Sequence, residues 1–396
     1  MAAERIAGSV QALLLLFGSC LPVLGAVLIA PVLPRMQMHF TETPGVAVLV
    51  PVVLTLPALV IALAAPWAGM LADRVGRRAL LLASMLLYSV CGVLPLWLDS
   101  LGLIIASRAG IGLAEAGIMT CCTTLMGDYF DGQRRERLFA LQMVATSLSA
   151  ALFMGLGGAL GENSWRTPFA LYAVGVLCLP LMALLLWEPQ ARRVEPQHAQ
   201  ASRFPWAALA PIYLLTGLAG VSLFIVPVQV GYLLQLLQVD APQQVGLTMG
   251  ANQLGVLAGA LAFRLLARQP AGRLLALGFA TAGLGGGLMA LSTSHAMVVL
   301  AVLVNGLGVG LLLPTLISQV MQHVGFDQRG RATGGFTAAI FAGEFISPLL
   351  VLALTGGAAP HLPQALLLVA LSQLILAPLC LLLLRRARAA GAVGAL

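Results

Sequence analysis

The sequence predicts an all-α membrane protein, with twelve transmembrane helices arranged as two six-helix bundles. Three observations lead there. Only 9% of the 396 residues are charged and 60% are hydrophobic, whereas an ordinary soluble domain carries roughly a quarter charged residues. Apolar windows of about 20 residues, the length that crosses a bilayer, recur twelve times along the chain. The second half also repeats marks of the first at a displacement of 196 residues. Backbone groups in hydrocarbon need internal partners, so a spanning chain is helical or a closed barrel. The apolar runs are continuous rather than alternating, which selects helices.

The first window is centred near Leu21 and extends to about Leu33. A cleaved signal peptide has an apolar core of roughly 7 to 15 residues, so this longer stretch reads as span 1. The next five centres fall near Leu56, Tyr88, Ala114, Leu148 and Leu177. "EPQARRVEPQHAQASRFPW", Glu188 to Trp206, follows as the only long hydrophilic connector. Polar, Pro-containing segments of this kind join independent units. The expected organisation is therefore a bundle over 1–187, a linker over 188–206 and a bundle over 207–396. The remaining spans centre near Gly220, Gly255, Ala282, Gly308, Gly343 and Gln373.

Charge orients these spans. The net charge of +7 comes from 21 basic residues, all of them Arg. With the N-terminus in the cytoplasm, Arg35 and Arg166 fall in outer loops, Arg108 falls inside a span, and the other eighteen lie on the cytoplasmic side. Outer loops carry Glu42, Asp99, Glu162 and Asp240. This is the positive-inside pattern. It places both termini and the linker in the cytoplasm of a bacterial inner membrane, and it accounts for the positive charge without nucleic acid.

Other chemistries find little support. Cys20, Cys91, Cys121, Cys122, Cys178 and Cys380 all lie in apolar runs and form no CxxC pair. They read as inert buried thiols, so no metal or cofactor is expected. A chain without Lys cannot complete a GxxxxGK[ST] phosphate loop, which excludes an ATP-driven pump. No hydrolase elbow, zinc motif or nucleotide fingerprint occurs. An intramembrane enzyme using Glu115 and Glu344 is the remote alternative to a non-enzyme.

The repeat has specific marks. "GIG" at Gly110–Gly112 lands on "GLG" at Gly306–Gly308, Asp131 on Asp327, and Arg135 on Arg331. Parallel repeats of this kind occur in two-halved secondary transporters.

"GMLADRVGRR", Gly69 to Arg78, concentrates charge between spans 2 and 3. Gly69 and Gly76 permit the tight connector that two antiparallel spans need. Asp73 can meet the partial positive charge at a helix N-terminus. This stretch resembles the loop motif G-x-L-x-D-R-x-G-R-R/K of the major facilitator superfamily, matched by Gly69, Leu71, Asp73, Arg74, Gly76, Arg77 and Arg78. The resemblance implies a cytoplasmic gate. Asp73, Arg74 and Arg77 would act there with Asp128 at the end of span 4 and Arg331 at the start of span 11. The second-half equivalent, "LLARQPAGR", is degenerate, with Arg268 near the expected Asp. "RAGIGLAEAG" in span 4 is similar to the R-x-x-x-G-x-x-E-A pattern of spinster-type members. The chain departs from many drug/proton antiporters of the superfamily in two ways. "MGLGGALG" in span 5 has no Gly-Pro pair, and span 1 has no acidic residue.

Arg108, Glu115 and Glu344 are the ionisable residues set well inside spans. A central charge costs roughly 2.5 to 3.5 kcal/mol on insertion scales. Their repeat counterparts are Val304, Leu311 and Leu148, so the fold does not require charge at these places. Arg108 and Glu115, seven apart, share a helix face. The guanidinium fork suits carboxylate or phosphate. A carboxyl whose hydration changes during a cycle can take up and release a proton. Asn252, Asn305, Gln142 and Tyr232 are further candidates, with Gln229 and Gln319 behind them; interhelical hydrogen bonding is the alternative role for each. Phe224 and Phe341 are candidate cavity wall. Together with the resemblance, these features lead to an expectation of proton-coupled export by alternating access. The cargo would be a small amphiphilic or anionic molecule such as a drug, a siderophore-like metabolite or a lipid. Proton-coupled uptake of an organic anion is the alternative. The expected partners are a small-molecule substrate, protons and membrane lipid, with the protein a monomer.

Overall fold

The computed structural model describes residues 7–189, 204–325 and 328–393. Twelve helices in it are long and apolar enough to cross a membrane, and every expected centre falls inside one. Six form the first bundle: α1 (Ser9–Val27), α2 (Val46–Val75), α3 (Arg77–Val93), α4 (Leu101–Tyr129), α5 (Gly132–Gly161) and α6 (Val174–Leu185). The second comprises α7 (Trp206–Leu236), α8 (Pro242–Leu266), α9 (Ala271–Ala290), α10 (His295–Gln322), α11 (Arg329–Thr355) and α12 (Leu362–Val393). Most of the expected linker, residues 190–203, lies outside the described residues.

Local sequence explains the breaks. Pro31 and Pro34 convert the end of span 1 into a 3-10 turn, Ala30–Val32, and a short helix, Leu33–His39. Proline removes a backbone donor and cannot continue the preceding ladder. A single residue, Gly76 at φ +100°, separates α2 from α3, a conformation that side-chain-bearing residues avoid.

Helices α3, α6, α9 and α12 turn apolar side chains outward. Leu177 and Leu184 on α6 are 71% and 80% exposed. An exposed leucine stripe is the surface expected of a helix that faces lipid. α4 is the most enclosed helix of its bundle, with Arg108, Ile111, Glu115, Ile118 and Cys122 all buried.

The bundles meet most closely at the end of the molecule remote from the Gly69–Arg78 motif. There α5 and α8 approach backbone to backbone. A methyl on Gly158 would run into the Pro242 carbonyl, and one on Gly246 into the Met154 carbonyl. Glycine at such crossings lets helix axes close up and gain dispersion contacts.

Candidate transport site

A cavity of about 260 Å³ lies between the bundles. Its wall is mostly apolar and includes Leu54, Met119, Leu223, Phe224 and Phe341. Thr146, Ser147 and Gln253 add neutral polar groups. Glu115 from α4 and Glu344 from α11 are the only ionisable residues in this lining. A second chamber of about 260 Å³ shares Pro22, Val23, Met119 and Thr146 with the first. Its Ser19, Thr123 and Gln142 lie nearer the motif end of their helices. The cavity therefore extends toward the motif face, while the opposite face is closed by the α5–α8 crossing.

Glu115 is buried against α1 at Gly25, where even a methyl group would collide with its carboxylate. Neither of its oxygens has a hydrogen-bond partner. Glu344 is also buried, on the other bundle. An orphaned carboxyl in a membrane interior demands an explanation beyond folding.

Arg108 does not join them. It is fully buried, and its donors are spent within its own bundle. Nε donates to the Val53 carbonyl at 3.0 Å, Nη1 to the Tyr172 hydroxyl at 2.7 Å, and Nη2 to the Gly25 carbonyl at 2.7 Å. It does not line the cavity. The expectation that Arg108 grips a substrate anion has no cavity contact behind it in this conformation. The shared face with Glu115 is real, since both converge on Gly25, but the guanidinium ties α4 to α1 and α2.

Two asparagines are likewise interhelical. Asn252 Nδ2 donates to the Val302 carbonyl at 2.8 Å and Asn305 Nδ2 to the Ala282 carbonyl at 3.0 Å; neither lines the cavity. Tyr232 lines a separate small pocket with Gln37 and Gln229. Gln142 lines the second chamber, with Nε2 donating to Ser19 Oγ at 2.9 Å. Gln253 lines the central cavity and was not anticipated. Only its i−1 neighbour Asn252 stands out in sequence, and adjacent helical residues point different ways.

At the motif, Arg77 pairs closely with Asp128 and lies 3.8 Å from Asp73. Arg74 is exposed. Glu188, the first residue of the expected linker, caps α3 with its carboxylate. Oε1 accepts from the Arg77 amide and Oε2 from the Arg78 amide, each at 2.8 Å. An anion here meets free N–H groups and the positive end of the helix dipole. Arg331 is not brought to this cluster. Its guanidinium lies over Phe204 at 4.4 Å and Trp206 at 5.3 Å, a cation–π arrangement within the second bundle.

The closed face carries a polar contact that sequence reading passed over. Glu162, just past the end of α5, accepts from the Gln243 amide at the start of α8, 2.9 Å across the bundle interface. Arg35 steadies Glu162 by donating to the Gly161 and Glu162 carbonyls at 3.0 and 2.7 Å.

Twelve spans in two bundles with a cavity between them define the class: a multi-pass membrane protein built on the two-bundle transporter fold. The Major Facilitator Superfamily model matches residues 15–348, and the chain belongs to that family. It is similar to the class C tetracycline resistance protein of Escherichia coli, with 28% identity over 372 residues covering 88% of this chain and 91% of that one. It is 25% identical over 194 residues to the quinolone resistance protein NorA of Staphylococcus aureus, a match that spans 47% of this chain and 49% of that protein. In fold it resembles the crystal structure of a bacterial homologue of the human lysosomal transporter spinster. That likeness has TM-score 0.78, 16% identity and coverage of 96% and 97%.

Proposed function

We infer that the protein exports a small amphiphilic molecule in exchange for protons, by alternating access. The observation that carries this reading is the pair Glu115 and Glu344, one from each bundle, facing a single apolar cavity. A carboxyl on each side of the interface lets proton uptake and bundle movement influence one another. That reciprocity is the thermodynamic content of coupling. The resistance proteins among the relatives favour export.

The lining also favours a charge. With Arg108 consumed elsewhere, the cavity offers two acids and no base, so a cationic amphiphile suits it better than an anion. In this reading the motif face is cytoplasmic, the membrane is the bacterial inner membrane, and the conformation described is open inward. The protein works as a monomer whose bundles span 1–187 and 207–396. Asp73, Arg74, Arg77, Asp128 and Arg331 form the cytoplasmic gate when the bundles rock together. Glu162, Arg35 and Gln243 form the outer one.

The test is transport by reconstituted protein under an imposed pH gradient. Ethidium, a permanent cation, should be moved against its concentration, and an anionic dye of similar size should not. Equal transport of both, or ethidium movement indifferent to the gradient, overturns the substrate class or the coupling respectively.

A further inference from the structure

The N-terminal bundle satisfies its motif with its own anions. Asp73 and Asp128 flank the Arg77 guanidinium, and the Glu188 carboxylate fills the N-terminus of α3. Displaced by 196 residues, Gly76 and Arg77 become Gly272 and Arg273, so the glycine and the arginine recur. The acids do not. Asp73 becomes Gln269, Asp128 becomes Val324 and Glu188 becomes Leu384. The second bundle keeps the cationic frame without the carboxylates that neutralise it in the first.

In place of those carboxylates stands a cavity of about 560 Å³, the roomiest of those described above. Arg273, Gln269, Ser318, Gln319, Gln322 and His323 line it, with no acid among the described lining residues. Gln269 Oε1 accepts from Arg273 Nη1 at 3.2 Å and holds the guanidinium at the rim. His323 Nδ1 is engaged with the Gln319 carbonyl at 2.7 Å. α9 starts two residues before the aligned position of α3, so its first amides, Ala271 and Gly272, also border the cavity, and the residue before them, Pro270, has no side-chain oxygen to cap them.

The cavity's position selects the source of the anion. Arg273 continues the face of α9 that carries Leu277, Leu284 and Leu291, which are 48%, 55% and 63% exposed. That stripe faces lipid, and Arg273 stands at its end, at the depth of the headgroups. We propose that this cavity binds the phosphate headgroup of an anionic phospholipid, which supplies to the second bundle the negative charge that Asp73, Asp128 and Glu188 supply to the first. An Arg fork and helix-start amides are both suited to phosphate oxygens.

The experiment is native mass spectrometry of the full chain released from bilayers of phosphatidylglycerol and phosphatidylcholine in equal amounts. One phosphatidylglycerol should be retained in preference to phosphatidylcholine. Arg273→Gln should weaken its retention roughly tenfold, as loss of a hydrogen bond between charged groups implies. Ser318→Leu fills the cavity without touching its charge and should weaken retention too, which keeps the test decisive if the arginine variant fails to fold. Undiminished phosphatidylglycerol retention in the folded variants, or equal retention of both lipids, overturns the proposal. Inorganic phosphate is the second arm, offered to protein in phosphatidylcholine alone. No adduct is expected; an Arg273-dependent phosphate adduct would assign the cavity to a free anion and overturn the lipid.

Discussion

Glu115 was legible in sequence because a carboxylate in the middle of an apolar run has no cheap explanation, and the same holds for Glu344. Their roles in transport can be separated by removing the titratable proton from one at a time. Glu115→Gln should abolish accumulation driven by a pH gradient in proteoliposomes while leaving ethidium binding within a few-fold of the parent. Glu344→Gln should lower accumulation as well, because each carboxyl faces the same cavity from its own bundle. Normal accumulation in both variants would remove proton coupling from the site. Arg108 was equally conspicuous in sequence, and for the same reason, but a linear pattern fixes only the face of a helix. It does not show that the guanidinium turns to the Val53 and Gly25 carbonyls and stays out of the cavity lining. Arg108→Lys offers one ammonium where three hydrogen bonds now diverge to Val53, Tyr172 and Gly25. Leaving buried acceptors unpaired costs about 1 to 3 kcal/mol each. The expected outcome is a lower melting temperature in detergent with ethidium affinity unchanged in the fraction that folds. A selective loss of affinity at unchanged stability would return Arg108 to the substrate.

At the level of helices, the spans and their order follow from length and hydropathy, which a bilayer enforces strongly. The contacts between helix ends do not. Glu162 and Glu188 sit at loop boundaries, where a charged residue is commonplace, so nothing in the sequence distinguishes a cap from a solvated side chain. Asn252 and Asn305 show the converse problem, since a polar residue in a span is conspicuous whether it meets cargo or a neighbouring carbonyl. The α5–α8 crossing gives a direct test of closure at the end remote from the motif. Gly158→Val inserts a side chain where the Pro242 carbonyl already sits, and overpacking of this kind costs about 1 to 3 kcal/mol. Distances between spin labels on the outer ends of α5 and α8 should lengthen, and the outward-open population should rise about tenfold or more. Glu162→Gln, which loses charge at the start of α8, should shift the same distances by a smaller amount. Unchanged distances in both variants would leave the crossing as packing without a gating role.

For the whole molecule, the internal repeat made the two-bundle architecture readable, because one polar connector divides twelve spans evenly. Which end of the cavity is open was not readable, since both ends are lined by the same helices and differ only in how closely the bundles approach. The orientation in the membrane is open to a direct check. A cysteine placed between residues 190 and 203 of a variant lacking the six native thiols should react with an impermeant maleimide in inside-out vesicles and resist it in right-side-out ones. The reverse pattern would invert the topology. The two faces also differ in the range of the forces that close them, and this sets how each should move in time. The α5–α8 face is held by the short-range Glu162–Gln243 hydrogen bond and by glycine-on-carbonyl dispersion, which loses a quarter to a half of its strength over a gap of about 0.5 to 1 Å. Charges such as Asp73, Arg74 and Arg331 at the motif face act across a screening length of about 8 Å. Opening at the glycine face should therefore be abrupt, and closure at the charged face gradual. Single-molecule fluorescence trajectories should show two sharp distance states for a dye pair on the glycine face and a broad, salt-sensitive distribution for a pair on the other.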